Sequence, residues 1–405
     1  MSEHRRNDRK KCQICVGCGR CGNAVSNLHV ITENFLKQEL LPMEKSVCKG
    51  SFVLVDIGTT TIAMELYDEK GQKLQQYVCT NPQRIFGADV ISRIQAAENT
   101  MNARQMQALV KGVLEKGVQQ FVERHPEHKP EKIYIAGNTT MLYLLCGHNV
   151  EPLGQAPFQA DFLESEELRL GEWEAVTLPG LSAFVGGDIT AGILATGIHK
   201  CEKMSLFIDL GTNGEIVLGN REKLLACSTA AGPAFDGLLQ ANGNIVWGAD
   251  IVKCAALLLQ KGIMDETGLL MEPYFMEGVT MGEVLITQEH IRSLQMAKAA
   301  VAAGVQVLAQ EFGLCSITEI DKVYLAGGFG FYLQEKYAIE IGLLPKALQG
   351  KIMAVGNSAL AGCYYYHFCA ENVLEAKNIR KIAKVLNLAD IKTFTNEFVK
   401  KMDFK

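Results

Sequence analysis

The stretch Phe52-Val-Leu-Val-Asp56-Ile-Gly58-Thr59-Thr60 is nearly repeated by Leu206-Phe-Ile-Asp209-Leu-Gly211-Thr212-Asn213. Each copy reads as a buried apolar strand, an acidic residue, a Gly-Thr turn and a second strand, Ile62–Tyr67 in one and Glu215–Gly219 in the other. The echo continues in the same order. Ile133-Tyr-Ile-Ala136-Gly137-Asn138 matches Val323-Tyr-Leu-Ala326-Gly327-Gly328. Val185-Gly186-Gly-Asp188-Ile-Thr-Ala191-Gly192 matches Val355-Gly356-Asn-Ser-Ala-Leu-Ala361-Gly362. One Asp-x-Gly-Thr says little, but three ordered matches mark an internal duplication.

Helical periodicity fills the gaps. Ala103–Arg124 puts Leu109, Val110, Val113, Leu114, Val118 and Phe121 on one face, and Gln288–Phe312 does the same with Ile291, Leu294, Ala297, Val301, Val305 and Leu308. Each half therefore reads as three tightly joined strands followed by alternating helices and strands. This predicts an α/β fold, a mixed sheet with helices packed on it, made twice. Two such halves facing each other enclose a cleft with pseudo-two-fold symmetry. The boundaries expected are 1–50 for a Cys-rich segment and connector, 51–200 for the first half and 201–405 for the second. One short connector helix is expected near Ile31–Leu41, ended by Pro42.

The chemistry of the cleft follows from its residues. Phosphates need backbone N–H donors, hydroxyls and close approach without a Cβ in the way. Gly58, Thr59 and Thr60 supply these in the first half, and Gly211, Thr212 and Asn213 in the second. Asp56 and Asp209 end the strands before the turns, where two facing carboxylates hold magnesium through its retained waters. The plain alternative for either turn alone is a hairpin using Gly for its backbone freedom. Ala230-Ala-Gly232-Pro-Ala reads either as a helix opening near the phosphates or as a packing loop.

The duplicated pattern resembles the actin, sugar-kinase and Hsp70 superfamily, and more narrowly the C-terminal ATPase domain of reductive activators of corrinoid proteins. The resemblance is carried by Asp56-Ile-Gly-Thr-Thr-Thr, Phe86-Gly-Ala-Asp-Val-Ile-Ser-Arg93-Ile, Ala136-Gly-Asn-Thr-Thr-Met141, Asp209-Leu-Gly-Thr-Asn-Gly-Glu215, Ala230-Ala-Gly-Pro-Ala-Phe-Asp236-Gly237, Gln295-Met-Ala-Lys-Ala-Ala300 and Leu325-Ala-Gly-Gly-Phe-Gly330. It implies duplicated actin-like (ribonuclease H-like) domains binding ATP and magnesium. It places Gly327, Gly328 and Phe329 at the adenosine. It also sets Asp188 at the end of a third strand facing the cleft, to orient a water or the metal; a helix N-cap is the alternative there. Such activators usually begin with a plant-type ferredoxin domain and a long linker. Here residues 1–50, with a different Cys spacing, stand in that place.

Cys12, Cys15, Cys18 and Cys21 form that segment's run. It resembles the ligand run of bacterial four-iron ferredoxins, with the last gap shortened and the following Pro missing. Gly17, Gly19 and Gly22 leave the backbone free to wrap a 4Fe-4S cluster. Cys21, Cys48 or a second subunit completes the site. Structural zinc is the competing reading, although its Cys pairs usually stand roughly a dozen or more residues apart; a surface thiol switch is the third. Arg5, Arg6, Arg9, Lys10, Lys11 and Arg20 either stabilise an anionic cluster, attract an acidic redox partner, or form a solvated tail.

Composition narrows the classes. The 405-residue chain carries a net charge of −5, with no basic excess of the kind that grips nucleic acid. No apolar run approaches the roughly 18 residues of a membrane span. The charged N-terminus lacks a signal-peptide core, so a cytoplasmic protein is expected. Thirteen cysteines are an odd number, and thiols stay reduced in that compartment. The cysteines outside the run, such as Cys146 and Cys254 in apolar stretches, read as small buried hydrophobes. His125, His128, His148 and His367 fit no triad and read as structural or surface residues.

The expected function is an ATP-dependent redox activator that passes an electron from an iron–sulfur cluster to an oxidised corrinoid or other metalloprotein. It requires an electron donor, and a single short cluster segment gives two copies a reason to pair. A small-molecule kinase leaves the Cys run without a job. A client-binding ATPase with a zinc tail is the third reading.

Overall fold

In β1 (Ser51–Ile57) every apolar residue is buried because both faces of the strand are covered. Val53, Val55 and Ile57 enter an outer core, while Phe52 and Leu54 enter a central one. The computed structural model describes residues 50–211, 213–235, 238–239, 245–246, 248–281, 284–368 and 370–404. The cysteine run, Cys48, the expected connector helix, Thr212 and Asp236-Gly237 lie outside these residues.

The first sheet is built from β1, β2 (Thr61–Tyr67), β3 (Lys73–Thr80), β4 (Pro130–Gly137), β5 (Glu167–Leu170) and β6 (Trp173–Thr177), in the order β3-β2-β1-β4-β6-β5. Helices α1 (Val90–Ala97), α2 (Thr100–Arg124) and α3 (Thr139–Cys146) cover its outer face, and α4 (Gly187–Thr196) follows it. The second sheet contains β7 (Ser205–Asp209), β8 (Glu215–Gly219), β9 (Leu224–Ser228), β10 (Lys322–Ala326), β11 (Ile352–Gly356) and β12 (Ala383–Val385). Its order is β11-β10-β7-β8-β9-β12. Helices α5 (Gly248–Gln260) and α6 (Gln288–Phe312) pack on its outer face, with Ile291, Leu294, Ala297, Val301, Val305 and Leu308 all buried.

Both sheets are mixed in the same way. β1 pairs antiparallel with β2 and parallel with β4; β7 pairs antiparallel with β8 and parallel with β10. The expected three-strand opening is therefore present in each half. Two additions depart from the simple repeat. β5 folds back on β6, and short hairpins (Leu238–Leu239 with Ile245–Val246, Val279–Met281 with Val284–Ile286) interrupt the second half.

The central core joins the halves through α4 and α8 (Ser358–Phe368). These helices carry the repeated Ala-Gly pairs. A Cβ on Gly362 would lie 2.1 Å from the Ala191 carbonyl oxygen, and one on Gly192 would lie 2.3 Å from the Phe207 ring. Only hydrogen at Gly362 lets the two helices cross this closely, and only hydrogen at Gly192 lets α4 lie against Phe207 of β7. The Gln295–Lys298 motif has a different job: Gln295 Nε2 donates to the Met402 carbonyl at 2.9 Å and Lys298 Nζ to that of Lys401 at 2.7 Å, docking the chain's last residues.

Asp188 does not end a strand. β6 stops at Thr177, Pro179 and Gly180 break the run, and Gly186 caps α4 without a side-chain bond, leaving Asp188 in the first helical turn. No helix among the described residues is long and apolar enough to cross a membrane.

Candidate functional site

Register brings the repeated motifs together. Asp56 stands beside Ala136 across β1 and β4, and Asp209 stands beside Ala326 across β7 and β10. Each acid thus ends a central strand next to an Ala-Gly step. Asp56, Asp188, Asp209 and Glu215 converge on one cleft: Asp188 feels the charge of Asp56, Asp209 that of Asp188 and Asp56, and Glu215 that of Asp188 and Asp209. Glu215 joins because it is the direct antiparallel partner of Asp209.

These carboxylates hold their protons unusually tightly. Burial and the charges of Asp188 and Asp56 push Asp209 up to about 8. Burial raises Asp56 to about 6, offset by Asn357 Nδ2, which donates to Asp56 Oδ2 at 2.8 Å. Burial and the charge of Asp56 raise Asp188; burial and the charges of Asp188 and Asp209 raise Glu215. Among the described residues no cationic side chain contributes to the field at any of the four. Acids clustered without a counter-charge are the donor set of a hard cation such as Mg²⁺.

The two turns flank this cluster. In the first, Gly58 N–H donates to the Thr61 carbonyl at 2.9 Å, closing the hairpin. Thr59 is buried; its Oγ1 accepts from Asn138 Nδ2 at 3.1 Å and its carbonyl accepts from Arg93 at 2.6 Å. Thr60 is half-buried, and its carbonyl accepts from Asn81 N–H at 2.9 Å. In the second turn, the Asn213 carbonyl accepts from Ala231 N–H at 2.9 Å and from Thr229 Oγ1 at 3.2 Å. Asn213 also hydrogen-bonds Glu215 through its side chain. Among the described residues, a Cβ added to Gly211 or Gly232 would meet nothing within 4 Å, leaving space beside both backbones for a ligand. Gly232 precedes a single 3-10 turn, Pro233–Phe235.

Gly327 reaches the acids directly. Its φ is +83°, and a Cβ there would lie 2.7 Å from Asp209 Oδ1. Gly328 is exposed on the first turn of α7 (Gly327–Tyr332). Phe329 instead turns inward and stacks on Phe235, centroids 4.3 Å apart, joining the Gly327 loop to the Gly232 loop.

The structure thus gathers Asp56, Asp188, Asp209, Gly58, Thr59, Gly211, Asn213 and Gly327 around one cleft. Sequence reasoning missed Glu215, Asn357 and the burial of Arg93. The cross-strand position of Glu215 was the available signal; Asn357 needed the two halves in contact.

Two family models account for most of the chain: the RACo middle region over residues 52–201, and the C-terminal domain of RACo, the ASKHA domain, over 203–248 and 245–405. A corrinoid activation enzyme, RamQ of Eubacterium limosum, is 29% identical over 92% of this chain and 73% of its own. A [Co(II) methylated amine-specific corrinoid protein] reductase of Methanosarcina barkeri is 21% identical over 87% and 76%. Among solved structures, a reductive activator for a corrinoid, iron-sulfur protein superposes with a TM-score of 0.78 at 30% identity, covering 89% of this chain and 67% of that one.

Proposed function

The chain belongs to the family of reductive activators of corrinoid proteins, and we propose that it couples ATP binding in the cleft to delivery of one electron to an oxidised corrinoid protein. The observation that carries this reading is the convergence of four carboxylates, two from each half, with no cation among the described residues to balance them.

A bound Mg²⁺ ion would supply the positive charge the acids lack, and the ATP it accompanies would supply the binding energy that draws the halves together. Asp56, Asp188, Asp209 and Glu215 are the groups to hold the ion, through water or directly. Thr59, Thr60, Gly211, Thr212 and Asn213 offer N–H and hydroxyl donors to phosphate, while Gly58 shapes the first turn, its N–H closing the hairpin on Thr61. Gly232, Gly327 and Gly328 leave backbone open for the nucleoside, with Phe329 bracing their loops. Asp209 and Asp188 hold their protons near neutrality without a cation and release them when one enters, so binding is pH-linked. Ala191 and Gly362 bring α4 and α8 into backbone contact, a crossing suited to small sliding between the halves.

Cys12, Cys15, Cys18 and Cys21 are assigned to a 4Fe-4S cluster as the one-electron source, in a cytoplasmic protein served by a separate donor and free to pair with a second copy. The duplicated pattern begins near Ser51 and its apolar periodicity is complete from there, and among the described residues three apolar cores are assembled from residue 52 onward. Removing that segment is therefore expected to leave a folded protein that still binds ATP, seen by calorimetry, but no longer reduces an oxidised corrinoid protein in the presence of reductant. Asp209→Ala is expected to keep the cluster's electron paramagnetic signal and lose roughly 10²–10³-fold in ATP-dependent turnover, the scale of removing one electrostatic contact. Reduction at full rate by the truncated chain would overturn the cysteine assignment; full ATP-dependent rate in Asp209→Ala would overturn the cleft.

A further inference from the structure

A second set of ligating side chains lies on the first half, outside the acid cluster. Helix α3 starts beside the first phosphate turn and ends at Cys146. Gly147, at φ +86°, turns the chain back so that His148 N–H donates to the Tyr143 carbonyl at 2.9 Å. The His148 ring then stacks flat on Phe162, with 3.9 Å between centroids. Its Nε2 lies 2.5 Å from Glu166 Oε1. Glu166 is itself fixed, since its N–H donates to Thr177 Oγ1 at 3.0 Å and its carbonyl accepts from Thr177 N–H at 2.9 Å. The thiol, imidazole and carboxylate donors all lie within 4.8 Å of one another. They line one small cavity with Tyr143, Phe162 and Leu178.

We propose that Cys146, His148 and Glu166 form a binding site for one Zn²⁺-type divalent cation. A thiolate, an imidazole and a carboxylate are three of the donors zinc takes in tetrahedral sites, and the cavity leaves the fourth position to water. Metal–donor bonds of about 2.0–2.3 Å space tetrahedral ligands roughly 3.3–3.8 Å apart. The three donors reach that spacing by small side-chain rotations, His148 and Glu166 opening and the thiol drawing in. Each is half-buried, so the ion has an entry path. The rival reading, a Cys–His–Glu nucleophile, fits less well. The imidazole Nε2 is turned to Glu166.

The site has a structural consequence. Glu164 pairs with Arg380, and Ser165 Oγ lies 2.9 Å from Tyr366 Oη, so the segment before Glu166 touches the helices after β11. A cation on Glu166 ties that contact to α3, whose other end braces Thr59.

Cobalt(II) is the probe. The full-length chain with Cys12, Cys15, Cys18 and Cys21 all changed to Ser, titrated under reducing conditions, is expected to bind one Co²⁺ with a thiolate charge-transfer band that Zn²⁺ abolishes. Cys146→Ser should lose the band, and His148→Ala should weaken affinity at least ~10-fold, the lower scale for losing a partner at a metal site. Cys315→Ser, at an exposed cysteine elsewhere, should leave both unchanged. Glu166→Gln guards against misfolding: its metal-free Tm should equal its parent's, and Zn²⁺ should raise the parent's Tm more. No thiolate band in the parent, a band that survives Cys146→Ser, or equal Zn²⁺ stabilisation of parent and Glu166→Gln would overturn the proposal.

Discussion

The two Gly-Thr turns descend from one repeated motif yet are held in opposite ways. The first is clamped from below. Arg93, fully buried, donates to the Thr59 carbonyl at 2.6 Å and to that of Gly87 at 3.0 Å, while Asn81 and Asn138 fix Gly58 and Thr59. The second is tied through neutral bonds from Thr229 and Ala231, and among the described residues its Gly211 has space beside it. The acids divide in a matching way. Facing Asp56 across the hairpin is Ala63, whereas facing Asp209 is Glu215. Duplication therefore supplies two equivalent backbones, and side chains specialise them. The first turn becomes a rigid wall. The second carries the denser charge and stays open to whatever neutralises it.

The largest expected effect tests the wall. Arg93→Ala removes a buried cation and leaves the Thr59 carbonyl without that donor. Unsatisfied buried groups cost about 1–3 kcal/mol each, and lost packing of the long side chain adds to this. A loss of about 3 kcal/mol in chemical denaturation is expected. Thr229→Val, the matched change behind the second turn, removes neutral bonds and should cost about 1 kcal/mol. Equal losses would mean that the two turns are braced alike.

How much of this was legible differs by the kind of contact. The strand–acid–turn units were, because a strand buried on both faces must be a continuous apolar run. Gln288–Phe312 was bounded correctly because Thr287 and Gly313 cap it. The first long helix starts at Thr100 rather than Ala103, since Asn99 accepts from Met101 N–H and begins it earlier. Glu215 was visible only as the start of a strand; its role depends on being opposite Asp209. Asn357 meets Asp56 only after the halves close on each other. Phe329, placed at the adenosine by resemblance, lies on the first turn of the Gly-rich helix α7, which turns its ring into the core. Cys146 and His148 read as unrelated residues because Glu166 reaches them through a returning loop.

The acids give the next effect. A carboxylate whose folded pKa is raised binds its proton more tightly when folded than when unfolded. Its cost to stability is therefore absent below about pH 4, grows as pH rises, and is complete above the folded pKa. For Asp209 the window runs from about 4 to about 8. Asp209→Asn removes this charge, so it should raise the Tm of Mg²⁺-free protein more at pH 8.5 than at pH 5. At roughly 2–4 °C per kcal/mol for domains of this size, the difference is measurable by calorimetry. Asp56→Asn should show a smaller difference complete by a lower pH, because Asp56 titrates near 6 with Asn357 supporting its charge. A Tm gain independent of pH would mean that the acids are not charged against one another in the empty cleft.

The smallest effect on stability separates the two turns most sharply. Gly58 and Gly211 occupy equivalent places in the repeat. A Cβ on Gly58 would lie 2.9 Å from the Thr61 carbonyl oxygen, a backbone atom that cannot swing aside. Gly58→Ala is therefore expected to cost about 1–3 kcal/mol, the usual cost of overpacking a fixed site. A Cβ on Gly211 meets no atom of the described residues within 4 Å. Gly211→Ala should leave Tm unchanged or slightly raised, since Ala also narrows the unfolded ensemble. The same methyl stands where phosphate must approach the backbone, so nucleotide affinity by calorimetry should fall while the fold does not. Loss of stability in Gly211→Ala would show that the second turn is packed like the first. Unchanged stability with unchanged affinity would show that the space beside Gly211 is not where the nucleotide lies.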